Sequence, residues 1–474
     1  MVSRPRAVVL VGGPAAPYSR ALRLGRALAA DGYAVEIAAV AAKGLPAVET
    51  VSGPAPGSAG APEPAPGAVG PIVLRRYRPS GLWATIGRTE AMRSTEAGAD
   101  PSGRRRAGLW RDVLGPIFAI RRWLFWPHTV RGWWRTLERE LAPADVYHAC
   151  GALAIAPALA ARERAELPAG RRPRVIHDAI DHASAGNEAQ RFPGPIRRIV
   201  ARRERGWARA ADAIVTVNEA LVGSLTAAWT PARPILAVPN APEPPDPSVI
   251  DEPEPLLRHA TGLADTIRIV LYQGRLGPDL GLENAAEAVL LVPDAALVVL
   301  GFGRGLPESL ARDADPRFAG RHLTLPPRHP DELLRWTASA DVSIIAAPPV
   351  SPNQRLSSAT KFWESMAAGT PLVVVRGLET MARILEEHDL GAVATTDAPS
   401  DLATAIEAVL DRLERDGLAW RRAIATVGRD VFGWPAMATA YRALVRSLVD
   451  ESPSRVDRTM GAPLNDGGSA SQST

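Results

Sequence analysis

Asn353-Gln-Arg-Leu-Ser-Ser-Ala-Thr-Lys361-Phe-Trp-Glu364-Ser-Met-Ala-Ala-Gly369-Thr-Pro371-Leu-Val-Val-Val375 is the stretch whose reading decides the fold. Residues 359–368 predict a helix, with Thr360, Lys361 and Glu364 near its start and Gly369 as a left-handed cap ahead of Thr370-Pro371. Residues 372–375 then read as a buried strand. Loop, helix start, glycine cap and strand is how an α/β sheet aims unpaired backbone N–H groups at an anion. Lysine occurs only at Lys43 and Lys361, against 53 arginines. An ammonium is a compact point charge suited to a phosphate or sugar oxygen, whereas a guanidinium needs a wider, fork-shaped partner. Lys361 is thus either a phosphate ligand or a chance surface lysine. Glu364, three residues on, can face the same cleft. Lysine on a diphosphate and glutamate on two ribose hydroxyls would make a nucleotide-sugar clamp; the same spacing also suits a surface ion pair worth about a few tenths of a kcal/mol.

These residues resemble the retaining family 4 glycosyltransferases of the GT-B fold, whose signature is Glu-x7-Glu followed by Ala-x-Ala-x-Gly-x-Pro-Val. Glu364 stands at the second glutamate and Leu356 at the first. Ser357-Ser-Ala-Thr-Lys-Phe-Trp-Glu364 is similar to the Ser-Leu-Pro-Asn-Lys-Leu-Phe-Glu pattern of some members, a Lys-x-x-Glu variant of the motif. The family's first glutamate contacts the donor sugar, so the resemblance moves that contact to Asn353 or to main-chain amides.

A second element lies upstream. Ile267-Arg-Ile-Val-Leu-Tyr-Gln-Gly274 reads as a strand, Arg275-Leu-Gly-Pro-Asp-Leu-Gly281 as a glycine-rich loop and residues 282–291 as a helix. This resembles the family's Gly-Arg-Leu-x-x-x-Lys-Gly, whose Arg and Lys neutralise the leaving diphosphate. Arg275 matches, but Leu280 stands at the lysine, so Lys361 is expected to supply the missing charge. Ala296-Leu-Val-Val-Leu-Gly301-Phe-Gly303 is a strand running into a glycine turn that, in the family, approaches the nucleotide; alone it is poor support for a dinucleotide site. The donor-binding residues expected are therefore Gly274, Arg275, Gly301, Gly303, Asn353, Thr360, Lys361 and Glu364, with Arg275 and Lys361 catalytic. Asp313-Ala-Asp315 has the form of a metal motif but reads as a polar loop between strands, and no metal or other cofactor is expected.

The amino-terminal half opens as βαβ, with strand 7–11, a Gly12-Gly13 loop, helix 19–31 and strand 34–40. Ala144-Asp-Val-Tyr-His148-Ala-Cys150 resembles the family's Asp-Val-Val-His-Ala-His, and Val175-Ile-His-Asp178-Ala-Ile-Asp181 resembles Val-Val-Tyr-Asp-Ala-His-Glu. Cys150 and Ile180 stand where histidines are usual. These positions end strands, where α/β ligands bind, so His148, Asp178 and Asp181 are expected on the acceptor side; His148 also suits a purely structural role. Val238-Pro-Asn240 resembles the hinge entry to the nucleotide lobe.

Length and 46% hydrophobic content suit two Rossmann-like lobes facing across a cleft. The expected divisions are 1–238, an acceptor lobe; 239–425, a nucleotide-sugar lobe; 426–450, a helix crossing back as the resemblance implies; and 451–474, a disordered tail. Residues 52–71, rich in Pro, Gly and Ala, read as a loop within the first lobe. Residues 1–240 hold 33 Lys and Arg against 19 Asp and Glu, a balance of +14, and the remainder carries −10. Residues 104–139 hold nine arginines, two acids and five tryptophans: Trp110, Trp123, Trp126, Trp133 and Trp134. That pattern fits either a surface lying in anionic headgroups or a helix packing its tryptophans inward; no nucleic-acid module accompanies it. With no leader-like start, no apolar run long enough to span a bilayer and a lone Cys150, the expected location is cytoplasmic, soluble or peripheral on the inner face of the plasma membrane.

The resemblance implies sugar transfer with retention from a nucleotide-diphosphate sugar to a glycan or lipid-linked acceptor, in cell-envelope or exopolysaccharide synthesis. Two other readings stand beside it. A nucleotide-sugar epimerase of the same fold should carry acidic and histidine groups in matching cleft motifs, which the sequence lacks. A catalytically silent nucleotide-sugar binding protein would suit Leu280, Leu356, Cys150 and Ile180.

Overall fold

Runs such as Ala7-Val-Val-Leu-Val11 and Leu372-Val-Val-Val375 show no polar alternation, the pattern of parallel strands covered on both faces, and every one of these residues is buried. The computed structural model describes residues 4–15, 19–51, 71–80, 131–167, 171–303 and 305–450. Its strands form two sheets. The first contains β1 (Arg6–Val11), β2 (Ala34–Val40), β3 (Val48–Val51), β4 (Ile72–Tyr77), β5 (Val146–Cys150), β6 (Arg174–Asp178), β7 (Ala213–Thr216) and β8 (Leu236–Ala237). Their order is β3-β4-β2-β1-β5-β6-β7-β8, parallel except for the β3–β4 pair. The second contains β9 (Arg268–Arg275), β10 (Ala295–Phe302), β11 (His322–Leu325), β12 (Val342–Ile345), β13 (Leu372–Val375) and β14 (Gly391–Ala394), all parallel, in the order β11-β10-β9-β12-β13-β14.

The parallel strand order turns back at β1/β5 in the first sheet and at β9/β12 in the second. A parallel sheet opens a crevice beyond the carboxyl ends of its strands at such a switch point. The two crevices here share one cavity of about 780 Å³, lined from the first lobe by Val11, Gly12, Cys150 and Gly151 and from the second by Arg275, Ile345 and Ala347.

The long helix Pro399–Asp430 covers the second sheet and is interrupted at Gly417, whose φ of 51° and ψ of −132° are not helical. It runs past residue 425, and the helix that crosses back is Trp434–Asp450. Trp434, Tyr441, Val445 and Leu448 of that helix are buried in the core of the first lobe. The Tyr441 hydroxyl meets His148 Nδ1 at 2.9 Å, and Arg446 pairs with Asp31. Of the basic, tryptophan-rich segment, residues 104–130 lie outside the described residues. The helix Arg131–Glu140 buries Trp133, whose indole N–H donates to Ala39 O at 3.0 Å, so this end of the segment packs inward. Residues 52–70 and 451–474 also lie outside the described residues.

Tyr441→Phe removes the hydroxyl from a fully buried histidine nitrogen, which should cost about 1–3 kcal/mol. A lowered midpoint in chemical denaturation checks this; an unchanged midpoint would mean that the apolar face alone holds the last helix.

Candidate functional site

β9 ends in Tyr272-Gln273-Gly274-Arg275, and Gly274 has a φ of 111°, in the region that side-chain-bearing residues avoid. This turn brings Arg275 to the cavity wall and leaves room for Lys361 from the helix Thr360–Ala367. A Cβ placed on Gly274 would lie 3.7 Å from Lys361 Nζ. The same ammonium sits 3.5 Å from the centroid of the Tyr272 ring, a cation–π contact. Burial, opposed by the Glu364 carboxylate and reinforced by the charge of Arg275, pushes Lys361 down to about 7. Arg275 is more exposed and holds Asp279 at 3.1 Å. Leu280 lines the same cavity.

Gly301 and Gly303 are not on the cavity wall. A Cβ on Gly301 would fall 2.6 Å from the Leu276 side chain, and one on Gly303 would fall 3.0 Å from Leu276 O. These glycines make room for the loop that carries Arg275. Thr360, at the helix start, accepts from Asn240 Nδ2 at 2.6 Å, and Arg23 of the first lobe donates to Asn240. Glu364 lies one turn further on, beside the cavity but not among its lining residues. Its carboxylate accepts from Gln273 Nε2 at 2.9 Å, and Gln273 Oε1 in turn accepts from Thr337 Oγ1 at 2.7 Å. Burial raises the Glu364 carboxyl above its ordinary range against the opposing pull of Arg23, Gln273 and Lys361.

Asn353, expected to touch a donor sugar, is engaged across the cleft. Its Oδ1 accepts from His182 N at 2.7 Å and its Nδ2 donates to Asp181 Oδ1 at 2.9 Å. Asn353 and Asp181 both line the cavity, where they satisfy each other. A second bridge runs from Asn218 Nδ2 to Leu356 O and Ser358 Oγ, at 3.0 and 3.1 Å. Asn218 also caps the helix Glu219–Trp229 through its side-chain oxygen. Its place before a helix start was a readable signal; its reach across the cleft was not.

His148 and Asp178 require correction, because both are fully buried and neither faces the acceptor side. Arg20 clamps Asp178 with two bonds of 2.7 and 2.8 Å and gives a third to Val238 O at 2.8 Å. His148 Nε2 lies 3.2 Å from Asp178, and its other nitrogen meets Tyr441. The face of β5 that carries His148 is the one covered by the helix Trp434–Asp450, which fixes the orientation. Burial would raise the Asp178 carboxyl, but Arg20 and the hydrogen bonds from His148 and Arg20 hold it well below the usual range. His148, Cys150 and Asp178 present ligand atoms within 4.8 Å of one another. A cation there would meet the Arg20 guanidinium, so the cluster is an ion-pair knot that joins helix Ser19–Ala30, the β5 and β6 strands and the last helix. Cys150 and Ile180, by contrast, do line the cavity.

Asp313 and Asp315 are likewise occupied. Asp313 ends the helix Leu306–Asp313, rather than sitting in a loop, and holds His322 Nδ1 at 2.6 Å; Asp315 caps a short turn and pairs with Arg317 at 3.0 Å.

Residues 267–412 match the family described as glycosyl transferases group 1. Two D-inositol 3-phosphate glycosyltransferases are similar: that of Mycolicibacterium gilvum (strain PYR-GCK), 32% identical over 152 residues, covering 29% of this chain and 33% of that protein, and that of Mycolicibacterium vanbaalenii, 31% identical over 184 residues, covering 34% and 39%. The chain thus spans between a third and two-fifths of the length of these relatives. Among solved structures, sucrose-phosphate synthase from Thermosynechococcus elongatus superposes with a TM-score of 0.61 at 18% identity, covering 94% of this chain and 99% of that one. HepE from Anabaena in complex with UDP-glucose gives 0.59 at 14% identity, covering 94% and 100%. With its two switch points facing one cavity, the chain has the GT-B fold, and the stretch that matches the group 1 glycosyltransferases lies in its second lobe.

Proposed function

We propose that the chain is a retaining glycosyltransferase that moves a sugar from a nucleotide-diphosphate sugar to a glycan or lipid-linked acceptor, in cell-envelope or exopolysaccharide synthesis. One observation carries the reading: Lys361 and Arg275 line the same cavity at the carboxyl end of β9, within the segment that matches the group 1 family. Sugar transfer breaks the bond from the anomeric carbon to the diphosphate oxygen, and negative charge gathers on that leaving group. Fixed cations in a water-poor cleft stabilise such charge by several kcal/mol. Lys361 is the apter of the two for a tight contact, since its ammonium is a compact point charge. HepE was determined with UDP-glucose, which supports the same donor class here.

Among the described residues lining the cavity the carboxylates are Asp181 and Asp279, held by Asn353 and Arg275. Neither is presented as a free nucleophile. This supports attack by the acceptor oxygen on the leaving-group face, with the departing phosphate oxygen taking the acceptor's proton. Closure of the lobes over the donor would exclude water and limit hydrolysis. Glu364, positioned by Gln273, is the proposed acceptor of hydrogen bonds from the donor ribose.

A second reading is favoured by the apolar residues Leu280, Cys150 and Ile180 on the cavity wall: a nucleotide-sugar binding protein without turnover. Incubation with a panel of nucleotide sugars and acceptor extracts, following nucleotide release alongside binding heat, separates the two. Binding with no turnover would favour the silent protein.

Lys361→Ala should lower turnover by about two orders of magnitude or more, and Leu280→Lys in that background should restore part of it; unchanged kinetics in Lys361→Ala would remove the phosphate role. Glu364→Ala should weaken nucleotide binding by about 1.5–3 kcal/mol, the range for hydrogen bonds to a charged group. Calorimetry with ribose and deoxyribose nucleotides checks the assignment, and equal affinity for both in the unaltered protein would refute it.

A further inference from the structure

The helix Gly194–Ala210 of the first lobe carries six arginines and one acid, Glu204. Arg198, Arg202, Arg205 and Arg209 stand at i, i+4, i+7 and i+11, which places them in one stripe about 16 Å long at 1.5 Å rise per residue. All four are exposed, whereas Val200, Glu204 and Ala208 on the opposite face are buried. Pro195 and Ile199 flank the stripe, and Ile199 is 45% exposed.

Several arginines elsewhere on the surface meet carboxylates, as in Arg312 with Glu283, Arg383 with Glu387 and Arg412 with Asp389. Along the stripe no carboxylate partner is found among the described residues. Arg205 donates to Ala228 O at 2.9 Å and Arg209 to Trp229 O at 3.2 Å. Like charges stacked at i,i+4 destabilise a helix, and here no acid relieves them. An external anion would.

The stripe is tied to the cleft. On the inner face of the same helix, Glu204 accepts from Ala183 N at 2.8 Å, Ser184 N at 3.2 Å and Ser184 Oγ at 2.6 Å. Ala183, Gly186 and Asn187 of that loop line the cavity.

We infer that this helix face is a docking surface for an anionic lipid bilayer. The four arginines lie among headgroups, Ile199 and Pro195 meet the acyl boundary, and the Glu204 link sets the cleft mouth beside the lipid. Mixed cationic and apolar side chains on one helix face suit an interface that offers both environments. A nucleic-acid backbone would leave Ile199 and Pro195 without a partner. The surface is separate from residues 104–139, and it does not depend on sugar transfer.

Co-sedimentation of the full chain with phosphatidylcholine vesicles, with and without phosphatidylglycerol, tests it. Binding should require the anionic lipid and fall as salt shortens the Debye length. The triple variant R198E/R202E/R205E should bind at least about tenfold more weakly while keeping its circular dichroism spectrum, and R198K/R202K/R205K should bind as the unaltered protein does. Ile199→Asp should weaken binding severalfold. Indifference to anionic vesicles at low salt, or full binding by the charge-reversed variant, would overturn the assignment. So would capture of a single-stranded oligonucleotide in place of vesicles, which would give the stripe to nucleic acid.

Discussion

The structure turns on one ammonium held partly out of water on the wall of the cleft. Lys361 lies against the face of Tyr272 and beside the left-handed turn at Gly274, and its site opens on the cavity between the lobes. Desolvating a cation disfavours its charged form, which is why this lysine is pushed down to about 7. At roughly 1.4 kcal/mol per tenfold change in protonation, the free cleft carries an unfavourable charge whose cost a bound anion would offset. Arginine would bring a broad planar fork, which suits a bidentate partner, in place of a compact point charge. The surrounding sequence follows from this constraint. Gly274 supplies the turn, Gly301 and Gly303 leave room for the loop carrying Arg275, and the helix Thr360–Ala367 delivers the lysine from its first turn.

Around that point the lobes are joined by asparagines. Asn353 ties the Asp181-His182 backbone and side chain to the second lobe, Asn218 reaches Leu356 and Ser358, and Asn240 connects Arg23 to Thr360. Short, neutral amides can be exchanged for ligand contacts at modest cost, since each is worth about 1 kcal/mol net. The knot of Arg20, Asp178, His148 and Tyr441 differs in kind: it is dry, charged and closed to the cleft, and removing one partner would strand a charge. Exchangeable polar contacts at the mouth over a fixed ionic frame suit a cleft whose walls move while each lobe keeps its shape.

Much of this was legible in the sequence, and the exceptions share a cause. Unalternated aliphatic runs gave the strands, Gly281 and the apolar spacing after it gave the helix Leu282–Leu291, and rarity together with a place near a helix start singled out Lys361. A strand's end can be read from its pattern, but which face of the sheet another element will cover cannot. His148 and Asp178 stand on strands that reach the cleft but on the covered side, because the covering helix arrives nearly three hundred residues later with Tyr441. Nothing local to Asn353 reveals that Asp181 and the His182 backbone lie opposite it. Leu280 and Ile180 could be located on the cavity from their motifs, as strand ends and loops hold their positions whatever side chain they carry.

Because Lys43 and Lys361 are the only lysines, isotope labelling of lysine gives two side-chain signals, and Lys361→Ala assigns them. The most direct measurement is the NMR titration of the Lys361 signal with and without UDP. In the free protein the midpoint should lie near 7, with the ammonium deprotonated above it. Bound diphosphate favours the charged form and should raise the midpoint by more than about one pH unit, so that nucleotide affinity weakens as pH climbs from the free midpoint towards the bound one. A midpoint that stays near the ordinary lysine value, or one that UDP leaves unmoved, would contradict the account.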